Sequence, residues 1–442
     1  MDQLHDYSFW SKRTLLLWVL VSISSCDQTQ RIHASGTFAA EVLSEVKLEG
    51  LQVRLGRPIQ ITAQRAWRSG SDGPWAFIHP LPTIAKFPTG ELMVTYSLVG
   101  DTNEEPVYLR AFQISKDGGK TWGHRYDLIP DHQPWIYFPQ IEGSLLAIPS
   151  HFYQSDPEDR HNLHAPYCRF EQGGDRLIFE PGGTKIVDLP WAVDMFPSPI
   201  PRTNWIARTK LDGNAFEREG KLFVTGYLST NSYPEELMSS LLFVSEDRGR
   251  TWRYFSTISD PAVMPESPKR GANGPSETAL IQLEDGDLMA VFRVGSGLPW
   301  YLHRTYSSDG GRSWTKAEPI PAYSVEPSMQ RVANGTIVIS TGRPGIWLWL
   351  STDRRGESWQ SIDIAEHHNG WAPDATYRIG SYAYDASTPG REGRTQTSAY
   401  TEMVEVSPNR LLLVYDRGAK PKPAHAGDLT RIFVLPIEVQ RK

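Results

Sequence analysis

One phrase, written four times, limits what this chain can fold into. Ser-x-Asp-x-Gly-x-Thr/Ser-Trp occurs at Ser115–Trp122, Ser245–Trp252 and Ser307–Trp314, and again at Ser351–Trp359 with one extra residue between Asp and Trp. Each copy follows a β-forming run such as Val107–Ile114 or Ser240–Val244. That places the phrase on a hairpin turn, where Asp and Ser/Thr side chains cap backbone N–H groups, Gly takes the positive φ and Trp packs beneath. Turn chemistry accounts for every fixed position, so the phrase is structural. Its recurrence at intervals of tens of residues signals a propeller or a solenoid.

Composition supports an all-β version of that architecture. Fifteen Trp and 18 Tyr with 33 Pro and 36 Gly suit short strands joined by tight turns. A chain of 442 residues is long for one domain, but closed all-β folds reach such lengths. The formal net charge is −6, and no basic stripe carries interleaved aromatics, which argues against a nucleic-acid partner.

The N-terminus reads as an export signal. Lys12-Arg13 precedes the apolar run Leu15–Ile23 and then Ser24-Ser25-Cys26, a run too short to span a membrane. Ile23–Cys26 also resembles a bacterial lipoprotein cleavage box, in which Cys26 is lipidated. Residues 1–26 are therefore expected to be a signal peptide of lipoprotein type, 27–44 a tether, and 45–442 the folded domain. Export to the periplasm or cell surface follows, with membrane contact only through the anchor. Cys168 is then the single remaining cysteine, and no internal disulfide forms.

Six β-hairpins are legible from apolar alternation around a polar turn: 83–96, 138–148, 215–225, 278–292, 328–340 and 401–415. Each would supply the two inner strands of a four-stranded blade, with the repeated phrase between the third and fourth strands. The expected fold is a six-bladed β-propeller. Leu429–Leu435 and Lys47–Val53 would complete the last blade from both termini, closing the ring and protecting its edges.

This topology predicts where chemistry should be sought. If strands alternate in direction, residues entering a first strand or leaving a second strand converge on the mouth of the central channel opposite the repeated turns. Glu277 and Tyr400 enter the fourth and sixth hairpins; Arg293 and Arg343 leave the fourth and fifth; Asp101 leaves the first through Gly100–Glu105. Two guanidiniums, a phenol with a carboxylate nearby and a loop acid form a coherent set.

The repeated phrases are similar to Asp-boxes, and the blade Ser276–Arg293 leading to Ser307–Trp314 resembles the sialidase superfamily. The resemblance covers roughly residues 75–440 in layout. It implies a six-bladed propeller that releases terminal sialic acid, or a related acidic sugar, from glycans with retention. On it, Tyr400 is the nucleophile, Glu277 its base and Asp101 the acid/base, while Arg293 and Arg343 belong to the arginine cluster that holds the substrate carboxylate. No cofactor is expected, and a calcium ion, present in some members of the family, is not indicated by any ligand run in this sequence, so no metal is expected. The chemistry is consistent, because a carboxylate on the anomeric carbon repels an anionic nucleophile whereas a phenol stays neutral until its proton is taken. Arginine suits the substrate carboxylate by offering planar paired donors.

One departure bears on specificity. The family's first arginine belongs in an Arg-Ile-Pro phrase, but the corresponding stretch is Phe77-Ile-His79-Pro80-Leu-Pro82-Thr83. His79 takes part of that role, or Arg65 or Arg68 swings in, or the clamp is incomplete. A glycosidase or lyase for a different sugar and a non-catalytic glycan-binding propeller thus remain as alternatives. His151, His161 and His164, with Asp156 and Asp159, match no firm metal-ligand spacing and read as a solvated loop. Trp371, Tyr377, Tyr382 and Tyr384 either stack on sugar rings or pack on the domain.

Overall fold

A computed structural model describes residues 42–442, apart from 63–66, 69–74, 101–107, 125, 128–134, 140–142, 150, 155–158, 160, 172–176, 194, 198–204, 230–236, 265–271, 296–300, 324, 343–344, 381–396, 399 and 418–430. The leader, Cys26 and most of the expected tether therefore lie outside the described residues.

The domain is an all-β propeller. All six predicted hairpins form, including Trp75–Lys86 with Leu92–Gly100, Ala272–Gln282 with Leu288–Gly295 and Glu402–Ser407 with Arg410–Arg417. The strands fall into five hydrogen-bonded sheets among the described residues, so six blades are not seen as six separate sheets. The difference arises in the ten-stranded sheet. It contains two antiparallel runs of four, one from Trp135–Pro139 to Leu177–Ile186 and one from Trp205–Arg218 to Thr251–Ser259. Lys185 and Ile186 pair in parallel with Thr251 and Trp252, and His151–Gln154 pairs with strands of both runs.

Strands from both ends of the domain meet in one sheet. Arg431–Arg441 lies between Arg410–Arg417 and Leu51–Gly56, as expected for closure from both termini. The outer strand differs from the predicted Lys47–Val53. Gly50, at φ +68°, turns the chain, so that Val42–Leu48 folds back as a further strand on Leu51–Gly56. Strand structure thus begins within the stretch read as tether. Ser44 is held there by a hydrogen bond to His367 Nδ1 (2.8 Å).

The repeated phrases form the turns expected of them, between third and fourth strands. In the third copy Ser313 donates to Asp309 through its hydroxyl (2.6 Å) and its N–H (2.9 Å), Ser307 donates through its hydroxyl (2.8 Å), and Ser307 Oγ accepts from Gly311 N–H (2.8 Å). These bonds, those from Ser313 foremost, hold the Asp309 carboxyl well below the usual carboxylate range. The fourth copy keeps the pattern despite its extra residue, with Asp353 accepting from Ser351, Arg355, Glu357 and Ser358.

The turns also clasp neighbouring blades. A Cβ on Gly119, Gly249, Gly311 or Gly356 would stand 2.4, 2.6, 2.7 or 2.9 Å from Leu412 Cδ1, Leu146 Cδ2, Leu242 Cδ2 or Met289 Cε, each on the preceding sheet or run. The carbonyls of Gly249 and Gly311 accept from the hydroxyls of Thr184 (2.7 Å) and Ser256 (2.5 Å), and that of Gly356 accepts from Arg304. Each glycine is therefore a seat for an apolar side chain from the adjoining blade as well as a turn residue.

The long segment after the fourth Asp-box forms the helix Ile364–Trp371, capped by Asp363. His368 on this helix is fully buried; Tyr415 O–H donates to its Nδ1 (2.8 Å), and its Nε2–H donates to the carbonyl of Tyr377 (2.9 Å). Trp371 packs edge-on against His368 and Phe433, and Tyr377 edge-on against Trp371, so these two aromatics serve the core. Tyr382 and Tyr384 lie outside the described residues.

The seat makes a measurable distinction between two left-handed glycines. Gly90, at φ +104°, has nothing within 4 Å of a built Cβ, whereas Gly119, at φ +90°, meets Leu412. In urea denaturation Gly90→Ala should cost about 1 kcal/mol from backbone strain alone. Gly119→Ala should cost a further ~1–3 kcal/mol from overpacking. Equal losses would mean the turn does not clasp its neighbour.

Candidate functional site

Three of the residues expected at the channel mouth come together. Glu277 lies in Ala272–Gln282 where the pairing register shifts between Ser276 and Ala279, and its φ is +47°. Such a bulge re-aims a side chain, and a left-handed non-glycine residue is costly unless its surroundings hold it. Arg293 sits opposite Ser276 in the hairpin partner. Tyr400 stands just before Glu402–Ser407.

The two oxygens of Glu277 have different partners. Oε1 accepts the Tyr400 hydroxyl at 3.0 Å. Oε2 is 2.9 Å from Arg293 Nε and accepts the backbone N–H of Glu326, also at 2.9 Å. The Glu277 side chain is 3% exposed and that of Arg293 12%, so the pair is nearly dry. Burial works against the Arg293 charge. The carboxylate of Glu277, followed by Tyr400, Tyr227 and Glu326, outweighs it and holds the guanidinium pKa above its ordinary value. Both contacts Arg293 makes among the described residues, to Glu277 and to Ser276 Oγ, use Nε. Its terminal nitrogens make no hydrogen bond among the described residues.

Asp101 and Arg343 lie outside the described residues, as do Arg65 and Asp156. Of His79, Arg68 and His151 the structure describes the strands alone: Trp75–Lys86, Trp67–Arg68 and His151–Gln154. His161 Nδ1–H donates to the carbonyl of Leu189 (2.7 Å), and Asp159 caps the N–H groups of His161 and Asn162, a turn held together by its own bonds. Burial lowers the pKa of His164.

Sequence reasoning missed Glu326. It enters Val325–Arg331 at a register shift between Val325 and Ser328, with φ +39°, and so repeats in the next sheet the bulge that carries Glu277. The available signal was an acid just ahead of two successive hairpins. It also missed Asp416, a fully buried carboxyl on Arg410–Arg417 that accepts from Ser398 N–H (2.9 Å) and from the Ser398 hydroxyl. Burial raises Asp416 to about 7, against the opposing effect of those hydrogen bonds.

Fold and site together define a propeller with Asp-box turns and a phenol–carboxylate–guanidinium cluster, its carboxylate buried, at the entrances of its inner strands. Residues 203–405 match the BNR repeat-like domain. No curated protein matches the sequence. Among solved structures, a Dyadobacter fermentans protein of unknown function is similar, with a TM-score of 0.58 and 17% identity over 89% of this chain and 100% of that one. A Penicillium chrysogenum α-L-arabinanase in complex with arabinobiose has a TM-score of 0.55 and 15% identity over 87% and 98%. The GH93 α-L-arabinofuranosidase of Fusarium graminearum has a TM-score of 0.53 and 13% identity over 86% and 97%. At these identities the likeness is one of fold.

The buried titrating groups give a pH signature. Folded Asp416 keeps its proton up to about pH 7, whereas an unfolded Asp releases it near ~3.9. The folded state thus holds the extra proton between these values, and stability falls as pH rises through them. His368 has the opposite sign: burial lowers it to about 4, the unfolded group titrates near ~6.5, and stability falls as pH drops between those values. The two slopes largely cancel between about pH 4 and 6.5. Asp416→Asn should expose the His368 slope, up to about 1.4 kcal/mol per pH unit, in urea denaturation across that window. A variant whose pH dependence parallels that of the wild type would contradict this assignment.

Proposed function

We propose that the protein is a retaining exo-glycosidase that releases a terminal acidic sugar, sialic acid or a close relative, from glycans. The ten-stranded sheet is read as two blades, making six. Tyr400 attacks the anomeric carbon and Glu277 receives the phenolic proton. The phenolic oxygen forms a bond to that carbon as the bond to the leaving oxygen breaks, and water later cleaves the glycosyl–tyrosine bond. The observation that carries this reading is the 3.0 Å hydrogen bond from Tyr400 to Glu277 Oε1, with Arg293 holding the other oxygen of the same carboxylate.

The arrangement suits this chemistry. A phenol acquires charge only as its proton leaves, so it approaches a carboxylate-bearing carbon without repulsion, while Glu277 is within reach for general-base work. The terminal nitrogens of Arg293 are suited to the substrate carboxylate, together with Arg343. Asp101 is assigned protonation of the leaving group. Export, with lipid attachment at Cys26, belongs to the same proposal and suits an enzyme working on external glycans.

A second reading is a glycosidase for a neutral sugar. No arginine occupies Phe77–Thr83, and two fold relatives are described as an arabinanase and an arabinofuranosidase. Fluorogenic α-sialoside and α-L-arabinofuranoside, offered to the same preparation, separate the two. The proposal expects sialoside turnover, with kcat reduced about 10²–10⁴-fold in Tyr400→Phe and Glu277→Gln. Turnover of the arabinofuranoside alone would replace it with the second reading. Glycan binding without turnover of either would leave a binding propeller.

A further inference from the structure

Tyr400 is not part of a strand ladder; Glu402–Ser407 begins two residues later. Something other than sheet pairing must therefore fix the phenol relative to Glu277. Two anchors flank it among the described residues. On one side the Thr401 hydroxyl donates to Ser340 Oγ on the neighbouring sheet (2.9 Å). On the other, Tyr400 N–H donates to Ser398 Oγ (3.3 Å), and Ser398 in turn donates both its N–H and its hydroxyl to the carboxyl of Asp416.

The second anchor ends on a buried carboxyl. Asp416 is fully buried in Arg410–Arg417, a strand whose neighbour Arg431–Arg441 pairs with it along its whole length. Its carboxyl takes two donors from one residue, which fixes the orientation of Ser398 as well as its distance. Ser398 Oγ then serves as donor to Asp416 and acceptor for Tyr400, so the chain direction entering Tyr400 is set by a group that does not itself reach the reacting atoms.

We propose that Asp416 is a positioning residue which, through Ser398, holds the Tyr400 phenol within hydrogen-bonding reach of Glu277. The inference rests on the reading of Tyr400 as the nucleophile, but its structural half can be tested without substrate. Displacing a reacting group by about 1 Å from a remote position costs up to ~10²-fold in rate, which gives Asp416 a kinetic role distinct from that of a core residue.

Crystal structures of Ser398→Ala, Ser398→Thr and Asp416→Asn test the anchor directly. Ser398→Ala and Asp416→Asn should lose the contact between Tyr400 and Glu277 Oε1, while Ser398→Thr, which keeps a hydroxyl, should retain it. If Asp416→Asn does not fold, the Ala/Thr pair at 398 decides alone. With the substrate the wild type turns over, kcat should fall about 10- to 100-fold in Ser398→Ala with KM nearly unchanged, and Ser398→Thr should restore it. A Tyr400–Glu277 bond intact in Ser398→Ala, or a rise in KM alone, would overturn the inference. Should the wild type act on no glycoside while Ser398→Ala still displaces Tyr400, the glycosidase reading would fall and the anchor would stand.

Discussion

The Glu277 carboxylate is the group whose demands shape the site. Removing a carboxylate from water costs several kcal/mol even after relaxation, and the cost is recovered only if partners with good geometry surround it. Here the partners are Arg293 Nε, the N–H of Glu326 and the Tyr400 hydroxyl. They come from the hairpin partner, from the inner strand of the next sheet and from the chain entering a third sheet. No one blade can satisfy the carboxylate. Its burial depends on three sheets being packed in register, and the two left-handed residues at 277 and 326 are held by that packing. Backbone in this region is costly for a side-chain-bearing residue, and such conformations persist where surrounding structure over-determines them.

Blade packing is in turn secured by the Asp-box turns. Their internal hydrogen bonds make each turn rigid, and the missing Cβ of each turn glycine admits a Leu or Met from the preceding sheet or run. Nearer the channel, bonds between inner strands also tie blade to blade. Ile84 N–H donates to Glu402 (2.8 Å), Met403 N–H to Ser328 (3.1 Å), and the Thr225 hydroxyl to the carbonyl of Thr278 (2.7 Å). Structure at the Asp-boxes and the proposed chemistry at the strand entrances are therefore separate roles, linked because the first holds the sheets whose alignment the second requires.

The local parts of this arrangement were legible in the sequence. Asp-boxes announce themselves because four side chains within eight residues satisfy one turn, and hairpins because apolar alternation surrounds Gly or Asn. From these, strand direction alone brought Tyr400, Glu277 and Arg293, more than a hundred residues apart at their extremes, to one place. Features decided by tertiary contact were not legible. Glu326 contributes a backbone N–H, which no residue type advertises. Asp416 follows Tyr415 in an apolar strand and reads as its polar end, yet it is fully buried because Ser398 reaches back to it. The parallel pairing that joins two runs into a ten-stranded sheet, and the fold-back of Val42–Leu48, depend on which edges meet. Trp371 and Tyr377 had two readings until the helix Ile364–Trp371 set them against His368 and Phe433.

In the proposed chemistry the bond-forming step falls to a phenol, and Glu277 accepts a proton without bonding to the sugar. The geometry suits that division, since Oε2 of Glu277 is occupied by Arg293 and Glu326 while Oε1 faces the Tyr400 hydroxyl. The most direct measurement uses a fluorinated glycosyl fluoride of whichever sugar the enzyme releases, chosen to slow breakdown of the covalent intermediate, followed by proteolysis and mass spectrometry. The expected result is a glycosyl adduct on the peptide carrying Tyr400, on the tyrosine oxygen. An adduct on Glu277, or on any other carboxylate, would contradict it.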